Sequence, residues 1–159
     1  MCRQRSAAEI AGDVREMRDA VANERGEGER WNIKDAAGGL LDIEFIAQYL
    51  QLVHAARHPE VLDTNTARVL EKAARLGLLT AEDADVLRPA VRLYHDLTQI
   101  LRLCLSGPFD PKKADAGLAG LLTRAGDAPD LAALEAHLAD TQERVRETFE
   151  RILGSGSED

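Results

Sequence analysis

The sequence predicts an all-α protein, an up-and-down bundle of five to six helices. Apolar residues recur at steps of three and four along most of the chain, and Ser, Thr or Asp stands before these runs with Gly or Pro behind them. Only residues 31–34 alternate in the manner of a short extended segment. With 159 residues and 17.4 kDa, the chain is long enough to bury one core without disulfides or metals. Residues 1–153 are therefore expected to form a single helical domain, and 154–159 a disordered polar tail.

The elements follow in order. Ser6-Ala-Ala-Glu9 is a capping box, and Ile10, Val14, Met17 and Val21 then repeat at helical spacing, so a helix is expected from about 7 to 25. Gly26-Glu-Gly28 ends it, Trp31-Asn-Ile33-Lys34 reads as extended, and Gly38-Gly39 closes the connection. From Leu40 to about Arg57 the sequence is apolar almost all round, the pattern of a helix buried on several sides, with Pro59 as its limit. A third helix is expected behind Asp63 or Thr64, ending at Gly77.

Thr80 opens a fourth, long helix, whose seam is Leu87, Val91, Tyr94, Leu97, Leu101 and Cys104. Pro89 lies within it and predicts a kink or a split. Residues 106–111 read as a loop, 114–125 as a fifth helix ended by Gly126, and Asp130 caps a sixth through Ile152. Tyr49, Tyr94, Phe45, Phe109 and Phe149 are expected in the core.

Lys and Arg number 20 against 28 Asp and Glu, a net charge of −8. The basic residues are interspersed with acidic ones, which argues against nucleic-acid binding, since neutralising phosphates needs a concentrated positive surface. Cys2 and Cys104 make neither a disulfide framework nor a zinc site, and a reducing cytoplasm fits. Every apolar stretch is interrupted before it reaches membrane-spanning length. His54, His58, His95 and His137 lack metal-ligand spacing, so no metal site is expected from them.

The chemistry concentrates in residues 31–54. Asp42 and Glu44 open an unusually apolar helix behind Gly38-Gly39. At about 100° per residue, Glu44 shares a polar stripe with Gln48 and Gln51, whereas Asp42 falls beside Ile46, Tyr49 and Val53. Two accounts stay open. In one, the carboxylates only cap the helix and complement its dipole. In the other, Lys34, Gly38, Gly39, Asp42 and Glu44 form a site for a polyphosphate or metal-bound nucleotide: a cation, two residues that allow close backbone approach, and an amide-rich helix start. Arg15 and Arg18, three apart on the first helix, either reach a phosphate or an acidic partner or belong to a solvated face.

The string Gly38-Gly-Leu-Leu-Asp-Ile-Glu-Phe-Ile-Ala-Gln48 resembles the Gly-Gly-x-x-Asp-Ile-Glu-Phe-Ile-x-Gln segment of bacterial glutamine synthetase adenylyltransferase/adenylyl-removing enzymes. The likeness runs from about Val14 to Leu153 and includes Val14-Arg-Glu-Met-Arg18. It implies the helical domain of the second, adenylylating half, a helical bundle that packs beside a nucleotidyltransferase cleft. That enzyme transfers AMP from ATP to a tyrosine of glutamine synthetase, and its other half removes it. ATP and Mg2+ are then the cofactors of the intact enzyme, with none expected on this chain alone. The implied partners are a nucleotidyltransferase domain of the same polypeptide, glutamine synthetase and a PII-type regulator.

Two departures qualify the likeness. Asn32 stands where the family commonly has Asp, and no Gly-Ser turn is followed by an Asp-x-Asp strand of the kind that holds magnesium for AMP transfer. The chain is accordingly expected to be an excised C-terminal domain, inactive by itself. The alternative is a stand-alone helical interaction module.

Overall fold

The computed structural model describes residues 6–26, 28–105 and 109–154. Six α-helices follow one another among them: α1 (Ala7–Arg25), α2 (Leu40–His54), α3 (Thr66–Arg75), α4 (Ala81–Cys104), α5 (Ala116–Ala125) and α6 (Leu131–Phe149). No described residue lies in a strand, and no helix is long and apolar enough to cross a membrane.

Caps fix most of the boundaries. Ser6 Oγ accepts the Glu9 amide at 3.1 Å, Thr80 Oγ1 that of Asp83 at 3.1 Å, Asp115 that of Leu118 at 2.7 Å and Asp130 that of Ala133 at 2.7 Å. Each satisfies one of the donors a helix start leaves open. The cap of α3 is Asn65, bonded to the Arg68 amide at 3.1 Å, not Asp63 or Thr64. Asp63 is spent on the Asn65 amide and on Lys72 Nζ, 2.9 and 3.0 Å away. At the end of α3, Gly77 takes φ +77° while Leu78 bonds back to Ala73, a left-handed stop that glycine accepts without strain.

Helix α2 is the hub, packed against α1, α3, α4 and α6. Leu40, Ile43, Ile46, Ala47 and Leu50 are buried, which is why its sequence is apolar on more than one side. Around it, α1 supplies Ile10, Ala11 and Val14, α4 supplies Leu87, Ala90, Val91, Tyr94 and Leu97, and α6 supplies Leu134, Leu138, Val145 and Phe149.

Four further expectations need correction. Residues 31–37 wind through successive turns rather than extending, with Ala36 N bonded to Asn32 O at 2.9 Å. The burial pattern still alternates, since Trp31 and Ile33 are inside while Asn32 and Lys34 are outside. Helix α4 runs through Pro89 without the expected split, and Pro89 stands on its exposed side, where the lost backbone bond lies away from the core. Cys104 is exposed rather than on the seam, although Leu101 and Leu105 beside it still pack against the core. Finally, α6 continues into a π-helical turn over Glu150–Gly154, so Gly154 belongs to that turn; 155–159 lie outside the described residues, as do 106–108 of the anticipated loop.

Candidate functional site

The two carboxylates that open α2 have opposite fates. Asp42 is 0 % exposed. Its Oδ1 accepts the Nε of the buried Arg18, and its Oδ2 accepts the Gly38 amide at 2.6 Å and Arg146 Nη1 at 3.1 Å. Arg18 also donates to the Asp35 carbonyl at 3.3 Å. Arg146 continues to Glu150 at 2.9 Å and lies over the Phe149 ring at 4.7 Å, and Glu150 takes a two-pronged bond from Arg15. Three arginines and two carboxylates thus tie α1, α2 and the end of α6 together.

A buried carboxylate is tolerable only with such partners, because leaving it unpaired costs several kcal/mol. Within the network, the Arg15 hydrogen bond holds the Glu150 carboxyl below its ordinary range, and the same bond raises Arg15. Arg15 and Arg18 therefore reach acidic partners inside their own fold. Arg146 and Glu150 escaped the sequence reading, since nothing local distinguishes Arg146 from the exposed Arg144 two residues before it.

The glycine pair serves the same junction. Gly38 has φ +75°, and a Cβ there would run into the carbonyl oxygen of Gln142; on Gly39 it would run into that of Ile33. The Gly38 carbonyl accepts the Tyr94 hydroxyl at 2.7 Å, and burial together with the Asp42 charge lifts that phenol well above its usual range. The Gly39, Leu40 and Leu41 amides donate to Ala36, Ile33 and Lys34 carbonyls at 2.8, 2.9 and 3.0 Å. The close backbone approach that glycine permits is made to the chain's own backbone, and these amides of the α2 start are already engaged.

Glu44 and Lys34 behave differently. Both line an open cleft of about 640 Å3 together with Leu40 and, from α4, His95, Thr98, Gln99, Arg102 and Leu103. Lys34 is exposed and Glu44 half-buried, and neither makes a side-chain hydrogen bond or ion pair with a described residue. The Thr98 hydroxyl is buried without a partner. Of the expected polar stripe, Gln48 is exposed, while Gln51 is bound to the Asp63 amide at 3.0 Å. The structure thus separates the five residues proposed as one site: Asp42, Gly38 and Gly39 lie in the sealed junction, Lys34 and Glu44 in the open cleft.

A bifunctional glutamine synthetase adenylyltransferase/adenylyl-removing enzyme of Rhodopseudomonas palustris (strain BisB5) is 57 % identical over 157 residues, 99 % of this chain and 16 % of that protein. Proteins of the same name from Xanthobacter autotrophicus and Bradyrhizobium diazoefficiens are each 54 % identical, over 99 % and 96 % of this chain and 16 % and 15 % of their own lengths. The chain thus spans about a sixth of the curated relatives it matches. A family model described as GlnD PII-uridylyltransferase matches residues 12–153, the whole bundle from the first turns of α1 to the π-helical turn. The chain belongs to that family, in a stretch it shares with glutamine synthetase adenylyltransferases.

Proposed function

We propose that this chain is the helical domain of the adenylylating half of a glutamine synthetase adenylyltransferase/adenylyl-removing enzyme, where it completes a cleft beside a nucleotidyltransferase domain outside this sequence. The observation that carries the proposal is the segregation of the two carboxylates. Asp42 is sealed into the scaffold, and Glu44, two residues on, stands beside Lys34 in an open cleft with no ion-pair partner among the described residues. The relatives' names supply the reaction class, and their identity of 54–57 % favours adenylyl transfer to glutamine synthetase over uridylyl transfer to a PII protein. A PII-type regulator remains a proposed partner.

On this reading AMP passes from ATP to a tyrosine hydroxyl. Glu44 accepts a hydrogen bond from that hydroxyl and takes its proton as the oxygen attacks the α-phosphorus of ATP; the bond from that phosphorus to the bridging oxygen breaks, pyrophosphate leaves, and Lys34 offers positive charge to the phosphates. Mg2+, held by one or two carboxylates together with substrate phosphates, is assigned to acidic residues of the nucleotidyltransferase domain outside this sequence. The stand-alone interaction module is favoured by exposed apolar side chains such as Leu103, 80 % exposed at the cleft rim, which a docking domain also explains.

In the intact enzyme, Glu44→Gln is expected to lower adenylylation about a hundredfold with little change in melting temperature; a normal rate would return Glu44 to a structural role. The isolated chain is expected to transfer no AMP, and magnesium-dependent adenylylation by the pure 159-residue protein would overturn the assignment.

A further inference from the structure

We infer that the outward face of α4, through His95, Thr98, Gln99 and Arg102, forms with Lys34 a binding site for the polyphosphate chain of a nucleotide. This deepens the functional reading above and rests on it.

Positions 95, 98, 99 and 102 follow one another by three, one and three residues, so they share one face of the helix. The buried residues of the same helix, Leu87, Ala90, Val91, Tyr94 and Leu97, make the other face. The polar face meets the start of α2, where Leu40 and Glu44 stand one turn apart, and the turn that carries Lys34. The cleft's volume, about 640 Å3, falls within the range of pockets that take small molecules.

The disposition of charge points to an anion. Most buried or half-buried charges in this protein are neutralised internally, as in the Arg15–Glu150–Arg146–Asp42–Arg18 chain. In the cleft, the exposed Lys34 and Arg102 form no ion pair with a described residue, and His95 and Gln99 make no side-chain hydrogen bond with one. The Thr98 hydroxyl is buried with no partner, an arrangement that costs free energy unless a ligand supplies one. Two fixed cations face one carboxylate, a positive excess on a chain whose net charge is −8. A guanidinium fork, an ammonium, an imidazole, a hydroxyl and an amide are donors suited to phosphate oxygens. Glu44, at the α2 side, marks the end where a hydroxyl rather than a phosphate is held. This departs from the expectation, drawn from the sequence, that the chain alone binds no ATP; the binding expected here is that of the phosphate portion and is weak.

The test uses the 159-residue chain labelled with 15N. Inorganic tripolyphosphate and, separately, ATP without magnesium are titrated at constant ionic strength, with sodium chloride as the control. Both are expected to shift amides of residue 34 and of 95–102 saturably, and Arg102→Ala and Lys34→Ala each to weaken binding about threefold to fivefold, the range of one exposed charge pair. Arg124→Ala, on α5 and away from the cleft, should leave the affinity unchanged. Shifts that merely track ionic strength, spread evenly over the basic surface, or persist undiminished in Arg102→Ala would overturn the site. The two readings fail separately. Polyphosphate binding with a normal Glu44→Gln turnover would keep the site and remove the catalytic role of Glu44, and the converse would keep Glu44 and remove the site.

Discussion

Two residues apart on α2, Asp42 and Glu44 differ in what their loss should cost. Asp42 neutralises two arginines and holds the Gly38 amide in a region closed to solvent. Asp42→Asn therefore leaves Arg18 buried without its counter-charge, and the expected loss is about 3–5 kcal/mol in urea unfolding. A loss within about 2 kcal/mol would indicate that the carboxylate only caps the helix. Glu44→Gln, with no partner to lose, should change stability by less than about 0.5 kcal/mol. Tyr94→Phe strips the donor from the Gly38 carbonyl and is expected to cost about 1–3 kcal/mol.

Two helices carry features that their neighbours explain. Pro89 sits in the middle of α4 on its exposed side, where it gives up one backbone hydrogen bond without disturbing the core. Pro89→Ala restores that bond, and a gain of about 1–3 kcal/mol is expected from chemical unfolding; an unchanged or lower midpoint would mean that the ring is needed for packing. At the end of α6, the π-helical turn brings Glu150 to Arg15 on α1. Because the folded state holds the Glu150 carboxyl below its unfolded value, that contribution to stability is present above the usual carboxylate range and is lost as pH falls through the lowered value. Glu150→Gln should flatten the fall in urea midpoint between about pH 5 and pH 3; an identical pH profile would sever the link. Both groups are partly exposed, so the effect is one of slope rather than of large energy.

At the scale of the whole molecule, one core joins all six helices, with α2 at its centre. The only tryptophan, Trp31, lies in the turn between α1 and α2, yet it is buried edge-on to Phe109 at 4.8 Å, with its Nε1 3.3 Å from Glu135. Tryptophan fluorescence and far-ultraviolet circular dichroism should therefore report one coincident unfolding transition. Leu138→Ala, emptying a fully buried position on α6, should move both together by about 2–5 kcal/mol. Separate midpoints would mean that the segment carrying Lys34 and the glycine pair opens independently of the bundle.

The helices, their caps at Ser6, Thr80 and Asp130 and the burial of α2 were legible in the sequence because they depend on periodicity and on bonds spanning three or four residues. So was the family, since the Gly38–Gln48 string is contiguous. What only the tertiary structure decided depends on residues far apart in the chain. Arg146 lies 104 positions from the carboxylate it binds, and no local pattern reveals the pair. The same holds for Gly38, whose lack of a side chain is demanded by the Gln142 carbonyl on α6. The helical wheel set Glu44 on a polar stripe and Asp42 among apolar residues, but which arginines reach Asp42 and what stands opposite Glu44 follow from the helices that cover α2, a property of packing. The α4 stripe of His95, Thr98, Gln99 and Arg102 reads in one dimension as an ordinary solvated face. It becomes the wall of a cleft only because the turn before α2 brings Lys34 opposite it.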